Sequence, residues 1–262
     1  MEPDKFIVVV VQFLNDGIEE KLQYEMQKYE QFANGNIPLE IYNPTTKQEL
    51  FSLFEMLIQK IVNENCYFIL QINAHGCEMG IAANPSPKSH EYILWNELFI
   101  FTRQINEKFD GQLIMLLAVC MGNTMIGCID PSLRAPFKYI MGSFESVTIK
   151  NAIDGFREFY NKPFPDVKFV RDCAKRMNKA VGKETSPLFY EFYDSTCFDA
   201  ICNPDRDPKF FQEMVYKYVL AKTVLKTTKI KSFCELVETV DKELRGLLEI
   251  TRSNRNYFLF KS

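Results

Sequence analysis

Three short runs in this chain, Phe6–Val11, Tyr67–Ile72 and Leu113–Val119, are apolar on successive residues rather than on alternate ones, with Gln71 the one polar residue among them. A strand with no polar face needs cover on both sides, which is the condition of a central strand in a parallel sheet. Amphipathic stretches of helical period separate the runs. Asp16 and Glu19 suit a helix start, with Ile18, Leu22 and Met26 recurring along one face until Asn34-Gly35. Leu39–Tyr42 reads as a short strand. Thr46 and Glu49 stand three apart, the spacing of a capping box, ahead of Leu50, Phe54, Leu57 and Ile61. A helix over Leu94–Lys108 precedes the third apolar run, and a short strand over Lys138–Met141 comes after it.

Two helical patterns come next, Thr148–Tyr160 and Asp166–Val181. Pro187–Tyr193 is aromatic and strand-like, and helices around Lys209–Leu225 and Ser232–Ile250 close the chain. Strands alternating with helices imply an α/β fold: a mainly parallel central sheet, helices on both faces, and C-terminal helices beyond. The expected division is one domain over 1–204 and a helical extension over 205–262. The loop Asn84-Pro85-Ser86-Pro87-Lys88-Ser89 is rich in turn formers and reads as an exposed connection.

The composition excludes several classes of function. With 31 basic and 34 acidic residues the net charge is -3, so no broad field draws the chain to nucleic acid or to a membrane. No apolar run reaches spanning length, and the start lacks the basic, apolar and small-residue sequence of a secretory signal. The expected location is cytoplasmic. The 8 cysteines form no disulfide framework and no paired CxxC, which suits free thiols and argues against a zinc site. No cofactor is expected.

The residues just beyond two of the apolar runs carry the chemistry. Tyr67–Ile72 leads through Asn73-Ala74 into His75-Gly76, and Leu113–Val119 leads into Cys120-Met121-Gly122. In parallel α/β sheets the ligand crevice lies beyond the carboxyl ends of the strands, so a histidine and a cysteine there can meet. The chain has only 2 histidines, His75 and His90, and His90 reads as a solvated loop residue. A cysteine nucleophile works as the thiolate, and imidazole can take its proton and return one to the leaving amine. The backbone N–H groups of Gly76 and Cys120 are the candidate oxyanion donors. Either residue alone is more often inert: a strand-end histidine, a buried thiol. The two together, at corresponding strand ends, favour a dyad.

Chain order narrows the choice. His75 precedes Cys120 by about 45 residues, near the spacing of roughly 50 found in caspases. Papain-type enzymes place the cysteine first. A nucleophile elbow requires glycine two residues before the nucleophile and a later histidine, and Ala118-Val119-Cys120 has neither. The chain resembles the caspase-like cysteine peptidases, the group of caspases, gingipains, separase and bacterial CHAT domains. The resemblance rests on the strand with His75-Gly76 and the strand with Cys120. Tyr139-Ile140-Met141-Gly142-Ser143 followed by Val147, Ala152, Phe156 and Phe159-Tyr160 is similar to the CHAT strand, glycine and helix. Pro187–Tyr193 is similar to its last aromatic strand.

The resemblance covers about residues 6–194. It implies a caspase-like three-layer fold, Cys120 as nucleophile, His75 as base and acid, and Gly76 and Cys120 as oxyanion hole. It also implies a peptide or protein substrate and an activity switched by a partner or signal. The caspase pattern Q-A-C-x-G is absent, since Leu117-Ala118-Val119 precedes Cys120. Glu78 and Glu145 are the candidate substrate-binding residues for a basic side chain, with Asp130 and Asp154 behind them, whereas Arg134 or Lys150 would suit an acidic one. Each of these is more often an ordinary surface charge. A caspase-like module that binds without catalysis is the alternative reading.

Overall fold

The computed structural model describes residues 5–88, 91–130, 132–161, 172–202 and 255–260. His90, residues 166–171 of the expected helix Asp166–Val181 and both expected closing helices lie outside them. The chain divides into two compact units, Met1–Met125 with Pro136–Tyr193, and Ile126–Ala135 with Asp194–Ser262.

The first unit is built on β1 (Lys5–Phe13), α1 (Ile18–Gln27), α2 (Glu30–Ala33), β2 (Leu39–Tyr42), α3 (Lys47–Glu64) and β3 (Cys66–Cys77). Next come β4 (Gly80–Ala82), β5 (Ile93–Leu94), α4 (Trp95–Lys108), β6 (Ile114–Val119), β7 (Tyr139–Gly142), α5 (Ile149–Tyr160), α6 (Cys173–Ala180) and β8 (Tyr190–Tyr193). The strand order is β2-β1-β3-β6-β7-β8. All neighbours on this path are parallel except β7 and β8.

The three apolar runs are the three central strands, β1, β3 and β6. Alternate residues serve opposite faces. Val8 and Val10 of β1, Ile69 of β3, Leu116 of β6 and Tyr139 and Met141 of β7 form one core with Met26, Tyr29, Phe156, Phe159, Tyr160, Cys173 and Met177. That core places α1, α5 and α6 over one face. The intervening residues Val9, Leu70, Ile72 and Leu117 are equally buried on the other face. There α3 contributes Leu50, Phe54, Leu57 and Ile61, and α4 contributes Trp95, Leu98 and Ile105. Phe109 at the end of α4 meets Phe68 of β3 edge-on at 5.0 Å. The result is a three-layer α/β fold.

Local signals placed several elements. Thr46 caps α3 through the N–H of Glu49, and the Glu49 carboxylate reaches back to the N–H of Thr46, as their spacing predicts. The stretch expected as one helix from Asp16 to Asn34 is broken: α1 ends at Gln27, and α2 restarts after Tyr29, whose backbone is extended. Tyr29 is 2% exposed, and its hydroxyl donates to the carbonyl of Ile153 on α5. Burying that ring and satisfying its hydroxyl prevail over continuing the helix. The strand expected from Pro187 forms only over Tyr190–Tyr193. The residues before it are held instead by Asn178 of α6, which donates to the Phe189 carbonyl and accepts from the Leu188 and Phe189 N–H groups.

In the second unit, α7 (Asp194–Cys202) and a short helix, α8 (Arg255–Phe258), are described. Phe198 packs on Phe258 at 4.9 Å, and Arg255 pairs with Asp199. Arg134 stacks over the rings of Tyr257 and Phe260. Among the described residues no helix is long and apolar enough to cross a membrane.

Candidate active site

The lateral pairing of three strands sets the level of the site. β1 and β3 run in parallel register up to Phe13 beside Ala74, and β3 and β6 up to Ala74 beside Val119. His75 and Cys120 are therefore the next residues on adjacent parallel strands. Each follows by two positions the paired residues Asn73 and Ala118, which share one face of the sheet. That face is the one covered by α1, α5 and α6. Both residues are half-buried.

His75 does not end its strand, as the sequence suggested. β3 continues to Cys77 and turns back through Glu78-Met79 into β4, with His75 opposite Ala82 and Cys77 opposite Gly80. β4 in turn pairs with β5. The indole N–H of Trp95 fastens this hairpin by donating to the Glu78 carbonyl and to the Thr124 hydroxyl oxygen. Thr124 itself donates to the Met121 carbonyl at 2.7 Å and lies 3.1 Å from the Glu78 carbonyl. The histidine strand and the turn after the cysteine are thus tied through one buried threonine.

Cys120 leads into a sharp turn. Met121 adopts φ 57, the left-handed region that costs a side-chain-bearing residue about 1–2 kcal/mol. The segment after β7 holds the turn in place: the Met121 N–H donates to the Glu145 carbonyl, and the Asn123 N–H to the Ser143 carbonyl. The same segment walls in the sulfur. The Val147 N–H lies 3.3 Å from Sγ, and the Val147 carbonyl 3.8 Å from it. Val147 precedes Thr148, the N-cap of α5, so the sulfur sits off the positive end of that helix.

Gly76 lies hard against this turn. A Cβ at position 76 would stand 2.5 Å from the carbonyl oxygen of Cys120 and would overlap the Val119 side chain. Only glycine lets the two backbones pass at this distance. The N–H groups of Gly76 and Cys120 consequently belong to segments in direct contact.

The imidazole of His75 has a partner that the sequence did not disclose. Its Nε2 lies 3.0 Å from Oδ2 of Asp16, and the two side chains are 26% and 21% exposed. Asp16 reads in the sequence as a helix start, and it serves that end too, since its Oδ1 receives the Ile18 N–H at 3.4 Å. No hydrogen bond joins His75 to Cys120. The other candidates are dispersed. Glu78 and Glu145 are exposed, and each contributes its backbone carbonyl to the turn after Cys120. Asp154 pairs with Arg157 on α5. Asp130 and Arg134 belong to the second unit, where Asp130 accepts from Ser132. Lys150 is an exposed residue of α5.

Six described cysteines are free thiols: 66, 77, 120, 128, 173 and 197. Burial pushes the Cys173 thiol up to about 11 and raises those of Cys66 and Cys197. Cys77 is tied to its own hairpin, its sulfur receiving the Met79 N–H at 3.4 Å. Among the described residues no three His, Cys, Asp or Glu side chains gather as metal ligands would.

No protein-family model matches the chain, and a comparison with characterised protein sequences finds no match either.

Proposed function

We propose that this chain is a caspase-like cysteine endopeptidase that hydrolyses peptide bonds in a protein or peptide substrate through an acyl-enzyme on Cys120. The observation that carries the reading is the register. The last parallel pair of β3 and β6 is Ala74 with Val119, and His75 and Cys120 are the residues that follow it on the two neighbouring chain segments. In the reaction His75 takes the thiol proton, and the sulfur attacks the scissile carbonyl carbon. The C–N bond breaks as His75 gives that proton to the leaving amine. A water deprotonated by His75 then hydrolyses the thioester and restores the thiol. The Val147 N–H aimed at the sulfur would stabilise the thiolate. The N–H groups of Gly76 and Cys120 are the oxyanion donors in this reading, and Glu78 and Glu145 flank the turn as substrate contacts.

One observation favours a second reading, a silent binding module or a protease awaiting a partner. His75 and Cys120 are each held by a third group, Asp16 and Val147, and not by each other. Thiol labelling with an acyloxymethyl ketone separates the possibilities. Cys120 should label ahead of Cys77 and Cys128, the other described thiols that are not buried, and His75→Ala should slow it by about 100-fold or more. Equal labelling of the three thiols, unaffected by His75→Ala, would overturn the protease reading.

A further inference from the structure

We infer that Asp16 is a positioning residue for His75, holding the imidazole in one tautomer and one orientation toward Cys120. The inference rests on the reading of His75 and Cys120 as base and nucleophile. An ionised carboxylate only accepts hydrogen bonds, so the His75 Nε2 facing Asp16 Oδ2 at 3.0 Å carries the ring proton. Nδ1 is then the nitrogen left to take the thiol proton. An acidic group bonded to the far nitrogen of a catalytic imidazole fixes the ring and stabilises the imidazolium as it forms.

Two features separate this pair from a casual surface contact. The two strands that deliver it are zipped in parallel register through nine residue pairs, the last of them Phe13 with Ala74. Asp16 comes three residues after that pair, past Leu14-Asn15, and His75 one, so the aligned strands bring the two segments out of the sheet side by side. The carboxylate is also held from behind. Gly17, at φ 82, turns the chain into α1, and the Ile18 N–H at the start of that helix meets Oδ1. Oδ2 is thereby presented to the ring.

The test compares native chain, Asp16→Ala, Asp16→Glu and His75→Ala, using iodoacetamide alkylation of Cys120 and proton NMR of the imidazole N–H. With 2 histidines in the chain, a His90→Gln background leaves one ring to observe. The native chain should show a downfield, slowly exchanging His75 Nε2–H signal, lost in Asp16→Ala and recovered in Asp16→Glu. Alkylation of Cys120 should fall about 10–100-fold in Asp16→Ala and recover in part in Asp16→Glu. If His75→Ala slows alkylation while Asp16→Ala leaves it within twofold, the positioning role is wrong and the dyad stands. If His75→Ala has no effect, the dyad reading fails, and the positioning role with it. Persistence of the N–H signal in Asp16→Ala would also overturn the inference.

Discussion

Replacing Gly76 with alanine tests the closest contact between the histidine strand and the nucleophile turn. The added Cβ would stand 2.5 Å from the Cys120 carbonyl oxygen, whereas ordinary contact begins at 3.4 Å. The shortfall of 0.9 Å falls on backbone on one side and on the Val119 side chain on the other, with Val119 itself fully buried. Neither side can yield as a flexible surface chain would. Overpacking of this kind costs about 1–3 kcal/mol. A displacement of about 1 Å at reacting groups is enough to lower a rate by roughly 100-fold. The expected result is a lower urea midpoint with an unchanged slope, and alkylation of Cys120 slowed far more than a small loss of stability explains. The slope matters, because an unchanged slope shows that the same fold is being unfolded. Native stability together with native Cys120 reactivity in Gly76→Ala would refute the reasoning that these two backbones are in contact.

Two further expectations concern the scaffold. Asn178→Ala removes three hydrogen bonds of 2.8–2.9 Å and leaves the Leu188 and Phe189 backbone groups without the partner that α6 supplies; equilibrium urea unfolding should show a loss of about 3 kcal/mol, and a loss under 1 kcal/mol would show that the clamp is dispensable. The second concerns Glu40, whose carboxyl burial alone would raise; the Lys60 ammonium, 2.6 Å away, and the Tyr42 hydroxyl bring it below its usual 4.5. A carboxyl lowered in the folded state adds stability that is complete above the unfolded value and is lost as pH falls through the folded one. Glu40→Gln should therefore cost about 1 kcal/mol at pH 7, and its unfolding curve should converge on the native one below pH 4.5; a gap that persists or widens in acid would reverse the sign of this argument.

The parts of the site that were legible in the sequence are those written in local patterns. Apolar residues on successive positions announced β1, β3 and β6 because burial on both faces demands them. Thr46 and Glu49 announced the start of α3 because a capping box closes within one turn. His75 and Cys120 were visible because each stands just beyond such a run. The hairpin of β4 and β5 was not visible, since Gly80–Ala82 and Ile93–Leu94 are too short to carry a period. The strand of β8 was visible in its aromatic run, but its antiparallel direction was not, since that depends on how α6 returns the chain.

The pairing of Asp16 with His75 spans 59 residues of sequence, and that distance explains why no local pattern discloses it. By itself the sequence determined which segments must be buried, where helices begin, and which two reactive residues follow the apolar runs of central strands. These arise from hydrophobic period and from hydrogen bonds made within a few residues. Only the tertiary structure decided the lateral order of the strands, their register, the contact of Gly76 with the turn after Cys120, and the carboxylate beside His75. Those are set by the packing of helices onto a sheet, in which residues distant in the chain become neighbours without leaving a repeating mark on it.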